Sequence, residues 1–243
     1  MNRIILIETS TSLCSTALVE DGKVVCERLS TEPRAHASMT APYVNEMLKE
    51  MGLGVKDCNA VAVSKGPGSY TGLRVGVSTA KGLCFGAGIP LISIGTLDTL
   101  VWQAMDEGLV SEGCRYIIPM VDARRMEVYT AVFTTDGKQV TPTEAMVVGE
   151  DSFKEQLSEG PVLFIGDGAG KCQGVIGALR QAQGPVGELV EPPAHFVQCC
   201  PKASGMTRPA VAALNEGKFE DVAYFEPYYL KEFMTTTSKK KLF

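Results

Sequence analysis

Short apolar runs separated by turn residues open the chain. Ile4 to Ile7 reads as a buried strand, Thr9-Ser10-Thr11-Ser12 as a hydroxyl-rich turn, and Cys14 to Glu20 as a second strand. Asp21-Gly22 signals a tight hairpin, because both positions tolerate a positive φ. Val24 to Leu29 then completes a three-stranded meander. From Ser38 to Met51 the apolar spacing becomes helical. Ala60 to Val63 is the next strand, Gly66-Pro67-Gly68 opens a second helix ending near Gly86, and Leu91 to Ile94 is a further strand.

The same grammar returns in the second half. Ile117 to Val121 reads as a strand, Asp122-Ala123-Arg124-Arg125 as a turn and Glu127 to Thr135 as a strand, and Asp136-Gly137-Lys138 repeats Asp21-Gly22-Lys23. A short helix around Ser152 to Leu157 follows, then a strand, Val162 to Ile165, and Gly166-Asp167-Gly168 in the place of Gly66-Pro67-Gly68. An internal repeat fixes an architecture before any motif is weighed. This one predicts an α/β protein with a duplicated actin-like (ASKHA, ribonuclease H-like) fold, in which each of two lobes is a mixed sheet flanked by helices. The expected division is 1–100 for the first lobe, 101–225 for the second and 226–243 for a tail. In that fold nucleotides bind between the lobes, where the first-hairpin turns face each other.

Composition narrows the function. The 243 residues are 45% hydrophobic and 21% charged, ordinary globular usage. A net charge of -5 argues against a protein that grips a phosphate backbone by itself, since such binding is driven by counterion release at a basic face. None of the eight cysteines forms a C-x-x-C pair, so they read as thiols in a reducing compartment. The apolar run at the N-terminus is too short for a signal-peptide core or a membrane span, which predicts a cytoplasmic protein away from the membrane. Lys239-Lys240-Lys241 reads as a solvated end in preference to an RNA-touching tail.

Candidate chemistry is sparse. Gly66-Pro67-Gly68-Ser69-Tyr70-Thr71-Gly72-Leu73-Arg74 sits at a strand-to-helix junction that favours an anion. It matches neither G-x-x-x-x-G-K-[ST] nor G-x-G-x-x-G, and a tight structural turn fits as well as a ligand loop. ATP-using members of the fold place a carboxylate and a glycine in each hairpin turn. Here Glu8-Thr9-Ser10 keeps a carboxylate without a glycine, and Asp122-Ala123-Arg124-Arg125 carries guanidinium groups that either bind an anion or pair with Glu127 or another carboxylate. Gly166 and Gly168 would lie against an adenosine. The cleft residues Glu8, Thr9, Ser10, Asp122, Arg124, Gly166 and Gly168 are therefore expected to form at most a weak nucleotide or anion site. The two histidines, His36 and His195, lack H-x-x-x-H or H-E-x-x-H spacing, so no metal site is expected. A hydrolase would lack its base, and no catalytic residue is expected.

The blocks Ile7-Glu8-Thr9-Ser10-Thr11-Ser12, Lys65 to Gly76 and Val121-Asp122-Ala123-Arg124-Arg125-Met126-Glu127-Val128-Tyr129 together resemble the TsaB (YeaZ) family, as does Glu226-Pro227-Tyr228-Tyr229-Leu230. The resemblance implies a subunit, not itself the transferase, needed to make threonylcarbamoyladenosine at position 37 of tRNAs that read codons beginning with A. It implies a TsaD-like transferase and a TsaE-like ATPase as partners, a homodimer when alone, and contact with tRNA only through the complex. It implies no cofactor of its own, with ATP or ADP at most in the cleft or at the partner interface. Where TsaD carries a metal-binding H-x-x-x-H, this chain has Thr96-Leu97-Asp98-Thr99-Leu100. The competing readings are an ATP-dependent phosphotransferase with Glu8 and Asp122 on Mg²⁺, and a metallopeptidase.

Two helices carry more apolar surface than one core needs. Met39, Tyr43 and Met47 belong to a wide arc on the first, and Gly72, Val75, Gly76, Thr79, Gly82 and Leu83 form a second face on the helix after Thr71. Glycine inside a helix costs about 0.8 to 1 kcal/mol relative to alanine, which close approach of a neighbouring helix would offset. With the family resemblance, these residues are the expected partner-binding surface.

Overall fold

The computed structural model describes residues 1–32, 34–176 and 194–231. The lysine run at 239–241 lies outside them. The first half builds β1 (Arg3–Glu8), β2 (Cys14–Glu20), β3 (Lys23–Ser30), α1 (Ala35–Glu50), β4 (Ala60–Gly66), α2 (Tyr70–Ala87), β5 (Leu91–Gly95) and α3 (Thr96–Asp106). The second builds β6 (Tyr116–Asp122), β7 (Glu127–Thr130), β8 (Phe133–Thr134), β9 (Glu144–Val147), α4 (Lys154–Glu159), β10 (Val162–Gly166), α5 (Ala169–Ile176), β11 (Ala194–Gln198) and α6 (Thr207–Glu216).

The repeat read from the sequence is a repeat in space. One sheet has the order β3-β2-β1-β4-β5 and the other β9-β7-β6-β10-β11, with β8 also on β6. In each, the first strand pairs antiparallel with the second and parallel with the strand after the helix. The β2–β3 connection is the expected hairpin, with Asp21 at φ 45° and Gly22 at φ 78°, the two left-handed positions a two-residue turn of this hand requires. The expected strand Glu127 to Thr135 is broken. Val132 turns its backbone to the next segment, donating its N–H to Thr141 Oγ1 at 2.9 Å and accepting from Val140 N–H at 2.7 Å. β7 and β8 therefore reach different ends of β6.

Both faces of the first sheet are covered. Ile5, Ile7, Leu18, Val61 and Val63 pack under α1 and α2, while Ile4, Leu6, Ala17, Ala62, Ile92 and Ile94 pack against Ala203, Met206 and Ala210. The second sheet packs Leu97, Leu100, Val101 and Ala104 of α3 on one face and α4 with α5 on the other. Each half thus lends an element to the other, since α3 covers the second sheet and the segment around α6 covers the first. The boundary expected at 100/101 cuts through α3. All eight cysteines are free thiols. Among the described residues no helix is long and apolar enough to cross a membrane.

Candidate functional site

The ends of β1 and β6, the first turn of α2 and the segment 228–231 enclose a cleft of about 620 Å³. β1 places Glu8 beneath its floor, where the side chain is fully buried. Its Oε1 accepts from Ser10 N–H at 2.6 Å and from Ser64 Oγ at 3.0 Å, and its Oε2 has no partner among the described residues. Burial pushes its pKa up to about 7, against the bonds from Ser10 and Ser64 that pull it down.

The loop after Glu8 explains the glycines of the Gly66–Gly72 block. Ser69 N–H donates to Ser10 O at 2.6 Å, and Thr9 Oγ1 donates to Gly72 O at 2.9 Å. A Cβ at Gly68 would lie 2.3 Å from Ser10 O, one at Gly72 2.0 Å from Thr9 O, and one at Gly76 2.2 Å from Thr9 Oγ1. These glycines let α2 lie directly on the first loop. Ser69 caps the helix, accepting from Gly72 N–H at 3.3 Å, and Gly88 closes it in a left-handed conformation.

The opposite turn is tied down by Lys171, whose Nζ donates to Asp122 Oδ1 at 2.6 Å, Arg125 O at 2.8 Å and Glu127 O at 2.7 Å. Arg124 (φ 72°) and Arg125 (φ 48°) are both left-handed, a conformation costly for non-glycine residues and held here by that lysine and by Arg124 N–H to Asp122 Oδ1 at 2.7 Å. Of the alternatives for the arginines, pairing with Glu127 is not seen among the described residues, where Lys231 forms that ion pair. Gly166 and Gly168 are also spent on packing. A Cβ at the first would meet Met120 O at 2.2 Å, and at the second Val128 Cγ1 at 2.8 Å. Asp167 accepts from Asp122 N–H at 2.8 Å, and burial raises its pKa.

Of the two carboxylates of the phosphotransferase reading, Glu8 is sealed beneath the cleft, and Asp122, exposed on its wall, is ion-paired with Lys171. Among the described residues no group of three or more His, Cys, Asp or Glu side chains is placed to hold a metal ion.

The helical surface is only partly as expected. Met47 is buried in the core, and Gly72 and Gly76 face Thr9, so these three are internal. The first loop occupies the side of Gly72 and Gly76 that a partner was expected to fill, and Met47 falls on the face of α1 that packs on the sheet. Met39, Tyr43, Val75 and Thr79 are half-buried, Leu83 leans on the core, and Gly82 is exposed with open space beside it. A groove of about 490 Å³ runs along Tyr70, Arg74, Val75, Ser78 and Thr79 to Ala37 at the start of α1.

The sequence reading missed the site role of the C-terminal segment. Tyr228 N–H donates to Lys65 O at 2.7 Å, Tyr229 packs on Tyr70 with ring centroids 4.8 Å apart, and Arg74 lies over the Tyr70 ring at 5.4 Å. Its aromatic run was the available signal. His36 was set aside for want of a metal partner, yet it lines the cleft.

Residues 24–167 match the model of a family described as TsaD: tRNA N6-adenosine threonylcarbamoyltransferase. The chain is 33% identical over 240 residues to the tRNA threonylcarbamoyladenosine biosynthesis protein TsaB of Escherichia coli, covering 94% of each chain. It is 32% identical over 169 residues to that of Bacillus subtilis, covering 67% of this chain and 70% of the relative. Among solved structures, YeaZ from Pseudomonas aeruginosa matches with a TM-score of 0.77 at 24% identity, over 95% of this chain and 100% of that one.

Proposed function

The chain belongs to the TsaB family, and from that membership we propose that it acts in tRNA threonylcarbamoyladenosine biosynthesis as a non-catalytic subunit. In this reading it docks on a TsaD-like transferase, works with a TsaE-like ATPase on tRNAs that read codons beginning with A, pairs with itself when alone, and resides in the cytoplasm. Contact with tRNA runs through the complex.

One observation carries the non-catalytic part. Glu8 has no exposed surface, and Asp122, exposed on the cleft wall, is ion-paired with Lys171, so both carboxylates that would run ATP chemistry are engaged by the protein itself. The docking part rests on the groove between α1 and α2, where Val75 and Thr79 remain partly open. The match of residues 24–167 to the TsaD-type model supports pairing between two subunits of related fold.

Depletion of the protein is expected to lower threonylcarbamoyladenosine in bulk tRNA, measured by nucleoside mass spectrometry, while the purified chain alone makes none. Unchanged nucleoside levels after depletion would refute the role. Modification by the purified chain alone would refute its non-catalytic character.

A further inference from the structure

The groove along α2 holds a single charged side chain, Arg74, among the apolar or hydroxyl-bearing walls of Ala37, Val75, Ser78 and Thr79. None of the ion pairs among the described residues includes it. α2 contains no acidic residue, and the first in α1, Glu46, comes about two and a half turns after Ala37. Arg34, at the N-cap of α1, is exposed and is outside those ion pairs as well. In a chain of net charge -5, this end of the groove is locally cationic.

The arginine is held in place. Its Nη1 donates to Tyr70 Oη at 3.3 Å, and its guanidinium carbon lies 5.4 Å from the centre of the Tyr70 ring. Tyr229 packs on the same ring, with centroids 4.8 Å apart. Burial raises the Tyr229 pKa and the Arg74 charge opposes it, as expected of a guanidinium beside both rings, while Glu226 acts on Tyr229 but forms no ion pair with Arg74. The segment that carries Tyr229 is anchored on either side, by Tyr228 N–H on Lys65 O at 2.7 Å and by Lys231 on Glu127. A planar guanidinium stacked in this way keeps its charge and its fork of N–H donors, which a carboxylate accepts in pairs. It also has little rotamer freedom left to lose when a partner arrives, and arginines of this kind anchor interfaces.

The surroundings favour a protein carboxylate over a nucleic-acid phosphate. A phosphate backbone is gripped by several cations together. Lys81, the other cation of α2, is spent on the carbonyls of Ala223 and Phe225, both at 3.0 Å. What flanks Arg74 is a helical groove of small and apolar side chains, the lining of a packed contact between proteins.

We propose that Arg74 sets the specificity of the docking groove by pairing with a carboxylate side chain on the transferase subunit, with Tyr70 and Tyr229 as its positioning residues. This inference rests on the docking reading above and adds the chemistry of the contact, an acidic side chain seated among apolar neighbours.

The test is the affinity of the purified TsaD-like subunit for the wild type and its variants, by biolayer interferometry at about 0.05 and about 0.5 M salt, with melting curves alongside. At the lower salt Arg74→Met is expected to weaken binding at least about tenfold, and Arg74→Glu at least about a hundredfold because it sets like charges together. Arg74→Met should also lose most of the salt dependence of the wild type. Tyr229→Ala should weaken binding about three- to tenfold and flatten its salt dependence, whereas Tyr229→Phe, which keeps the stacked ring, should behave as the wild type. A Tyr229 that served only the fold would lower the melting temperature and leave the salt dependence as it is. Arg74 is exposed, so its variants should melt as the wild type does. Tyr43→Asp and Thr79→Glu separate this inference from the reading beneath it. If they abolish binding while Arg74→Met binds with wild-type affinity and salt dependence, the docking reading stands and the role of Arg74 falls. If they bind as the wild type does, both fall. Loss of tRNA binding in Arg74→Met with unchanged affinity for the TsaD-like subunit would assign the arginine to nucleic acid and also overturn the proposal.

Discussion

Glu8→Gln separates a carboxylate buried against its preference from one that the fold needs charged. In the native chain the group is fully buried, one oxygen accepts two hydrogen bonds, and the other has none among the described residues. Its pKa of about 7 stands above the ordinary 4.5, so the folded state binds the proton more tightly than the unfolded state. The stability this lends is complete below pH 4.5 and is lost as pH rises through about 7. At about 1.4 kcal/mol per pH unit the whole loss is about 3.4 kcal/mol, of which about 2.5 kcal/mol falls between pH 5 and pH 8.5. Glutamine keeps an acceptor for Ser10 N–H and Ser64 Oγ and never ionises. Urea denaturation of both proteins at intervals from pH 5 to 8.5 should therefore show the variant gaining on the wild type by about 2.5 kcal/mol as pH rises. Taking the difference cancels the other titrating groups. A difference flat with pH, or one moving toward the wild type, would mean that the folded protein stabilises the Glu8 anion, and the reasoning would fail.

The glycines of α2 should divide by what faces them. Gly72→Ala, with Thr9 O in the way, is expected to cost about 3 kcal/mol, whereas Gly82→Ala, with open space beside it, should gain up to about 1 kcal/mol; chemical denaturation gives the order, and its reversal would refute the packing argument. Lys171→Met should cost about 2 kcal/mol by releasing the 122–127 turn and speed amide exchange there; unchanged exchange would show that the lysine does not hold the turn. Tyr43→Asp and Thr79→Glu should abolish co-purification of a TsaD-like partner while barely changing the melting temperature, and wild-type binding by both would place the interface elsewhere.

The sequence disclosed most of the scaffold, because its strands are apolar runs bounded by turn residues and its repeat brings the same turns back in the same order. It did not disclose α3, β11 or α6. The residues of α3 are apolar on several sides, since that helix is wedged between the second sheet and the 203–206 turn, and an element buried on more than one side loses its amphipathic stripe. β11 has few buried side chains to mark it. At the site, Glu8, Asp122, Arg124, Gly166 and Gly168 were legible as a cleft, but what each does there depends on Lys171, Thr9 and Val128, partners set by topology and not by spacing.

The exchange of elements between the halves also bears on mechanism. An actin-like cleft that works on a nucleotide needs lobes that rotate against each other, and hinge motion needs few contacts across the hinge. Here α3 leaves the first sheet to cover the second, while the segment carrying Ala203, Met206 and Ala210 leaves the second to cover the first, and the two segments pack on each other. Glu220 N–H then bonds to Leu91 O at 2.8 Å, Lys81 Nζ donates to the carbonyls of Ala223 and Phe225 at 3.0 Å, and Tyr228 crosses to Lys65. Lys231 closes the span on Glu127 of the second lobe. To open the cleft the chain would have to break this strap and shear a shared apolar layer. Contacts spread across both lobes in this way accord with the proposed docking role, in which the groove along α2 receives the partner.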